Sequence, residues 1–237
     1  MQLGDKVAIV TGAGRGIGKA IALRFAQEGA HLILAARTES DLEAVATQIH
    51  QLGRQALVIP TDVTQEEQVK LMVDLTLKTF GRIDILVNNA GLGAFRPIYG
   101  THASNWNKLL EINLTSTFFC TKHVWKIMRK QGGGSIINVS SLSGTRPYPL
   151  YTAYAASKWG QIGFTKTAAE EGKPDHIRVN AIAPGKVDTA MRSGVPEDKG
   201  KILQPEDCTG PVVFLASDEA RFVTGQVIEI EWFGPES

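Results

Sequence analysis

The stretch Lys6-Val7-Ala8-Ile9-Val10-Thr11-Gly12-Ala13-Gly14-Arg15-Gly16-Ile17-Gly18 decides how the rest of the chain reads. A run of β-branched and small apolar residues leads straight into four alternating glycines. An amphipathic pattern follows, in which Ile17, Ile21 and Phe25 fall on one helical face. Glycines at a strand-to-helix turn permit a tight bend and let a phosphate reach main-chain N–H groups at the helix N-terminus. The spacing is not that of a mononucleotide-binding loop. Ala20 follows Lys19 where Ser or Thr would hold magnesium, and Ala13, not glycine, stands five positions before Gly18. Taken alone, such a turn is weak evidence, and a purely structural loop is the alternative.

Working outward, short apolar runs alternate with helical periodicity. The pattern predicts strands over Lys6–Thr11, His31–Ala36, Ala56–Thr61, Ile83–Asn88, Ser135–Ser140, Ile177–Ala183 and Gln226–Glu231. Helices are predicted over Ile17–Gln27, Glu39–Gln51, Gln65–Phe80, Asn105–Gln131, Tyr154–Glu171 and Pro205–Ser217. Strands such as VAIV, LILAA and IDILV are apolar almost without interruption, which suits a parallel sheet covered on both faces. The expectation is an α/β, doubly wound, Rossmann-like parallel sheet of about seven strands, with helices on both faces and a ligand crevice outside the carboxyl ends of the strands. With no repeat, low-complexity tract or linker, residues 1–237 read as a single dinucleotide-binding and catalytic domain. The segment with least periodicity is Lys186–Gln204.

Composition narrows the function classes. Twenty-five Lys and Arg against 24 Asp and Glu leave a formal charge of +1, so nothing supports a whole-chain affinity for nucleic acid or an anionic membrane. Apolar runs such as Val212–Ala216 fall far short of the roughly 20 residues that span a bilayer. The N-terminus lacks the cationic and apolar regions of a secretory signal, and the two cysteines, Cys120 and Cys208, read as reduced thiols; the expected location is the cytoplasm. The five histidines are scattered with no metal-binding spacing, so no metal is expected.

The TGxxxGxG spacing of Thr11–Gly18 resembles the short-chain dehydrogenase/reductase family. Four further matches follow in order: Asn88-Asn89-Ala90-Gly91, Ser140-Ser141, Tyr154 with Lys158, and Pro184-Gly185. The resemblance covers essentially the whole chain and looks closest to bacterial 3-oxoacyl-[acyl-carrier-protein] reductases. It implies that Gly12, Gly14, Arg15, Gly16, Ile17 and Gly18 form the pyrophosphate turn and that Asp62 and Val63 contact the adenine. Asn89, Ala90 and Gly91 would line the adenosine ribose, and Pro184, Gly185, Val187 and Thr189 would orient the carboxamide. The choice between cofactors follows from charge. Where NAD-preferring folds carry an acidic residue at the end of the second strand, this chain has Ala36 followed by Arg37. Arg37, with Arg15, would pair with a 2′-phosphate, which favours NADP(H) over NAD(H). Two solvated surface arginines are the alternative.

Tyr154 and Lys158 stand four apart and so share one helical face. A free phenol titrates near 10, and a neighbouring ammonium stabilises the phenolate. Tyr154 is therefore expected to serve as general acid in carbonyl reduction and general base in alcohol oxidation. Lys158 would lower its pKa and hold the nicotinamide ribose, where Tyr154 also contacts the cofactor. Ser141 would hold the substrate oxygen. Asn113 matches the family position at which a helix distortion carries a proton relay; an amide satisfied in a helix contact is the alternative.

The substrate would meet Leu92–Gly100, Leu142–Tyr151 and a lid at about 186–204. That lid has many charges (Lys186, Asp188, Arg192, Glu197, Asp198, Lys199, Lys201) and few bulky apolar residues, which suggests an open pocket. The run Leu92-Gly93-Ala94-Phe95-Arg96-Pro97 and the ending Glu231-Trp232-Phe233 depart from the acyl reductases, so a ketone, diketone or sugar is the alternative substrate. The resemblance further implies a homotetramer, or a homodimer, with Trp125, Trp159 and Phe164 as candidate contacts. The expected activity is NADPH-dependent carbonyl reduction of a small molecule; a catalytically silent NADP-binding sensor or scaffold is the alternative.

Overall fold

The computed structural model describes residues 1–192 and 202–233. Its frame is one seven-stranded sheet, built from β1 (Val7–Thr11), β2 (His31–Ala36), β3 (Ala56–Pro60), β4 (Ile85–Asn88), β5 (Gly134–Val139), β6 (Ile177–Pro184) and β7 (Val227–Ile230). The strands are parallel throughout and lie in the order β3-β2-β1-β4-β5-β6-β7. The helices are α1 (Gly16–Gln27), α2 (Glu39–Gln51), α3 (Glu66–Phe80), α4 (Ala103–Leu110), α5 (Ser116–Lys130), α6 (Thr152–Gly172) and α7 (Thr209–Ala216).

The period-2 alternation of each strand distributes its side chains to two cores. Ala8, Val10, Leu32 and Leu34 face α1, α2 and α7, where Ile21, Phe25, Leu42, Ile49 and Val212 meet them. Val7, Ile9, Ile33 and Ala35 face the other way, toward Val69 and Met72 of α3, Val124 and Met128 of α5, and Ala168 and Ala169 of α6. Both faces being covered is why the strands read as unbroken apolar runs. The free cysteines lie in opposite cores, so the sheet separates them, and burial pushes each thiol up to about 12. The chain leaves β1 in one direction through β2 and β3, then returns to β4 on the opposite side of β1. That reversal opens a crevice above the carboxyl ends of β1 and β4.

The long helix predicted over 105–131 is broken in two. α4 ends at Leu110, a single π-helical turn covers Glu111–Thr115, and α5 continues from Ser116. The predicted helix over 205–217 opens with a 3₁₀ turn at Pro205–Cys208 before α7 begins.

Candidate active site

The glycine turn is held by the end of β4. Asn89 Nδ2 donates to the carbonyls of Thr11 (2.9 Å) and Gly12 (3.2 Å), while Thr11 Oγ1 accepts the N–H groups of Asn89 (3.0 Å) and Ala90 (3.1 Å). Gly12 has φ +66°, a left-handed conformation open to glycine. Gly18 plays a different part. A Cβ there would stand 2.3 Å from the Gly12 carbonyl oxygen and 2.4 Å from Asn89 Nδ2, so its missing side chain lets α1 press against the turn.

A continuous cleft of about 1010 Å³ runs along the carboxyl ends of the strands. Of the residues expected to bind a dinucleotide, Gly12, Gly14, Arg15, Gly16, Ile17, Arg37, Asp62, Val63, Asn89, Ala90, Gly91, Pro184, Gly185, Val187 and Thr189 line it, as do Ser141, Tyr154 and Lys158. Gly18 and Asn113 do not: the first packs behind the turn, and the second is fully buried. One end of the cleft gathers Arg15, Arg37, Thr38, Asp41 and Asp62. Both arginines are exposed, and neither forms an ion pair among the described residues. Asp62 Oδ1 accepts from the N–H (3.0 Å) and hydroxyl (2.8 Å) of Thr64, which fixes the carboxylate at the cleft wall. A dinucleotide fits this cradle because side chains are missing where its phosphates would approach: a Cβ on Gly16 would come within 3.2 Å of Thr189 Cγ2.

The other end holds the groups expected to carry the chemistry. Ser141 follows β5 and caps a 3₁₀ turn, its Oγ accepting the Ser143 N–H at 3.1 Å; the hydroxyl hydrogen is therefore left to point elsewhere. Arg146 binds Glu229 and, at 2.8 Å, Glu231, fastening the segment after Ser141 to β7. Tyr154 and Lys158 rise from the first turns of α6, both buried, with Lys158 Nζ 5.9 Å from the Tyr154 ring centroid. Lys158 Nζ donates to the Val139 carbonyl (2.7 Å) and to Gln161 Oε1 (3.2 Å). Asn113 sits in the π-helical turn, where Nδ2 donates to the Leu92 carbonyl (3.0 Å) and Ser157 Oγ (2.9 Å) and Oδ1 accepts the Leu92 N–H (2.8 Å). That amide is wholly engaged as a clamp between α6 and the loop after β4.

Burial in a site without a charged partner pushes the Lys158 amine down from 10.5 to about 7. Between those values the unfolded chain binds a proton that the folded one does not, so this residue's contribution to stability rises with pH across that window. Below about 7 the cost of the buried ammonium is fully present. The unfolding free energy of the parent minus that of Lys158→Met should therefore climb between pH 7 and 10.5 in the cofactor-free protein, followed by denaturant titration. A difference flat across that interval would contradict the burial assigned to this amine.

Sequence patterning did not single out Gln161, which is buried beside Lys158, nor the ring contacts among Phe95, Tyr148, Tyr151 and Tyr154. At the start of the expected lid, Val187 pairs with Leu203 and Thr189 lies against Gly16, so this part is fixed to the glycine turn. Glu197, Asp198, Lys199 and Lys201 lie outside the described residues. Among the described residues no group of His, Cys, Asp and Glu is arranged to hold a metal, and no helix is long and apolar enough to cross a membrane. Trp159 is half exposed on α6, whereas Trp125 and Phe164 pack partly buried against the core.

Comparison with known proteins agrees with this fold. The short chain dehydrogenase family profile matches residues 6–200. A 3-oxoacyl-[acyl-carrier-protein] reductase of Thermotoga maritima is 40% identical over 241 residues, covering 98% of each chain. The crystal structure of a carveol dehydrogenase from Mycobacterium avium in complex with NAD superposes with a TM-score of 0.93 at 32% identity, covering 97% of each chain. A protein described as an NAD(P)-dependent gluconate 5-dehydrogenase, from Beutenbergia cavernae and with bound NADP, gives 0.91 at 34%, over 97% of this chain and 96% of that one. The chain belongs to the short chain dehydrogenase family, oxidoreductases that act between alcohols and carbonyls with a nicotinamide cofactor.

Proposed function

We propose that the protein is an NADPH-dependent carbonyl reductase, working in reverse as an alcohol dehydrogenase. The observation that carries this reading is the shared placement of Ser141, Tyr154 and Lys158 on the wall of the same cleft that the glycine turn enters from its other end. When bound, the reduced nicotinamide supplies the hydride. Ser141 directs its unengaged hydroxyl hydrogen to the substrate oxygen and stabilises the charge that builds there. Tyr154 gives that oxygen its proton in reduction and removes it in oxidation. Lys158, as an ammonium, favours the phenolate and keeps a third N–H beyond its two acceptors for the ribose hydroxyls. The Asn113 side chain is fully engaged, so a relay role for that residue falls to its main-chain carbonyl in the π-helical turn. The two exposed guanidiniums beside the cleft support NADP(H), with Arg37 as the main contact to the 2′-phosphate.

The wall beside Tyr154 supports a cyclic ketone over an acyl chain. The Phe95 and Tyr151 ring centroids are 4.3 Å apart, Tyr148 lies 5.8 Å from Tyr151, and both Phe95 and Tyr151 stand 6.1 Å from Tyr154. Met191 packs against Gly93 at the same mouth, so the apolar surface comes from the loops after β4 and β5 and from the start of the lid. A ring held in one shape loses less conformational freedom against such side chains than an open chain does. The carveol dehydrogenase acts, by its name, on a cyclic alcohol, while the 3-oxoacyl relative keeps an acyl thioester as the second reading. NADPH oxidation should be followed with cyclic ketones, open-chain ketones of equal carbon number and acetoacetyl thioesters. Cyclic ketones should give kcat/KM about tenfold above their open-chain counterparts. A higher value on thioesters would move the assignment to acyl reduction, and NADPH binding with no turnover of any would make the protein a sensor. The homotetramer implied by the family is checked by light scattering, where a monomer mass at micromolar concentration would dismiss it.

A further inference from the structure

Behind the reactive groups a chain of buried hydrogen bonds runs from Lys158 to the π-helical turn. Gln161 is 1% exposed and Lys158 is 4% exposed, so neither can rely on bulk water for partners. Gln161 Oε1 accepts from Lys158 Nζ at 3.2 Å, and Gln161 Nε2 donates to Thr117 Oγ1 at 2.9 Å. Thr117 Oγ1 donates in turn to the Asn113 carbonyl at 3.1 Å. Direction is fixed at each link. A hydroxyl that gives its one hydrogen to a carbonyl can only accept from its other neighbour, so the Gln161 amide must turn its NH₂ toward Thr117 and its oxygen toward Lys158. The π-helical turn thereby sets which face of an amide the lysine meets.

We propose that Gln161 is a positioning residue for the catalytic lysine, its side-chain carbonyl oriented through Thr117 so that it holds the Lys158 amine at the cleft wall and stabilises its protonated form. This rests on the reading of the protein as a carbonyl reductase only for its effect on turnover. The surroundings of the amine leave few other candidates. From α6 it faces Tyr154, the one titratable side chain the described contacts place against it. From β5 it meets the neutral Val139 carbonyl. A Cβ on Gly91, in the loop after β4, would stand 3.9 Å from Nζ and 3.3 Å from Asn113 Oδ1, so the residues on that side of the amine, Gly91 and Asn113, are uncharged. Burial lowers the lysine pKa, with no charged group opposing it. A hydrogen bond to the charged form favours that form, so each neutral acceptor here counts toward keeping the proton on.

The test titrates Lys158 directly, in cofactor-free protein, through the ¹³Cε shift of labelled lysine, with the resonance identified by its loss in Lys158→Met. Gln161→Leu removes the acceptor and should move the titration down by about one pH unit, since hydrogen bonds to charged groups contribute on that order. Gln161→Glu places a carboxylate in the same position and should move it up by at least about one unit. Thr117→Val frees the amide to rotate and should give a smaller downward shift than Gln161→Leu. Under turnover, the corresponding limb of the kcat pH profile should move in the same direction for each variant. Titrations unmoved in both Gln161 variants, or displaced in the same direction in both, would overturn the proposal. If Gln161→Leu fails to fold, the opposite shifts of Gln161→Glu and Thr117→Val decide it. Opposite shifts of the lysine resonance in a protein that turns over no ketone would uphold the positioning role and reject the reductase reading instead.

Discussion

Tyr154→Phe should lower kcat for ketone reduction by at least about a hundredfold while NADPH affinity stays within about twofold. The substitution removes one hydroxyl and retains the ring. That ring is 8% exposed and makes edge contacts with Phe95 and Tyr151, both 6.1 Å away between centroids, and phenylalanine keeps these contacts. Packing and the cleft wall should therefore survive, and the loss should fall on proton transfer. General acid–base catalysis contributes about 10²–10⁴ in rate, which sets the lower bound. In the proposed binding mode the dinucleotide would be held mainly elsewhere, by the glycine turn, by Lys158 and by the groups around Arg37, so its dissociation constant, read from NADPH fluorescence, should scarcely change. Two other phenols lie in the same wall, Tyr148 and Tyr151, and the second is in ring contact with Tyr154. Tyr151 stands beside Tyr154, and near-native turnover in Tyr154→Phe would transfer the acid role to it or to solvent. A double substitution of both tyrosines then separates those two sources.

How far these roles were legible in the sequence depends on whether each is a local or a tertiary property. The strand runs VAIV, LILAA and IDILV are apolar because helices cover both faces, so they carried the sheet into the sequence itself. The glycine turn was equally plain, as was the Tyr154 and Lys158 spacing, which a helix converts directly into a shared face. The division of labour among the glycines was not. Gly12 and Gly18 look alike in sequence, yet one bends the chain and the other makes room for a carbonyl oxygen 2.3 Å from its absent Cβ. The π-helical turn at Glu111–Thr115 was hidden because EINLT has ordinary helical character; what accompanies the extra residue is the clamp of Asn113 on the Leu92 backbone, twenty-one positions away. Gln161 read as a polar position on a helix. Only the packing of α6 against β5 and the π-helical turn places Ser157, Lys158, Gln161 and Thr165 together on a buried face. The aromatic wall likewise draws its rings from two separate loops and α6, which no periodicity joins.

Arg37→Asp should reverse or abolish the cofactor preference, weakening NADPH relative to NADH by on the order of 2 kcal/mol, about thirtyfold in the ratio of kcat/KM values. The end of the cleft where a ribose 2′-substituent would sit gathers two guanidiniums, Arg15 and Arg37, and two carboxylates, Asp62 and Asp41, the latter with its Cβ 2.8 Å from where a Cβ on Gly14 would lie. Those four charges sum to zero in the parent and to −2 in the variant. A 2′-phosphate thus loses a charge-assisted hydrogen bond and meets an added repulsion, whereas a 2′-hydroxyl loses little and can donate to the new carboxylate. Exposure of both arginines means that salt will screen part of this difference, so the ratio should be measured at low ionic strength and should shrink as salt is raised. Arg37→Ala separates the two contributions, because it removes the attraction without adding repulsion and should shift the ratio by less than Arg37→Asp. The same variants in an Arg15→Ala background apportion the phosphate contact between the two guanidiniums. Equal NADPH to NADH ratios in the parent and in Arg37→Asp would sever cofactor choice from this residue. The preference would then have to come from Arg15, Thr38 or the main chain of the glycine turn, and the chain could as readily be an NAD enzyme as the carveol dehydrogenase that crystallised with NAD.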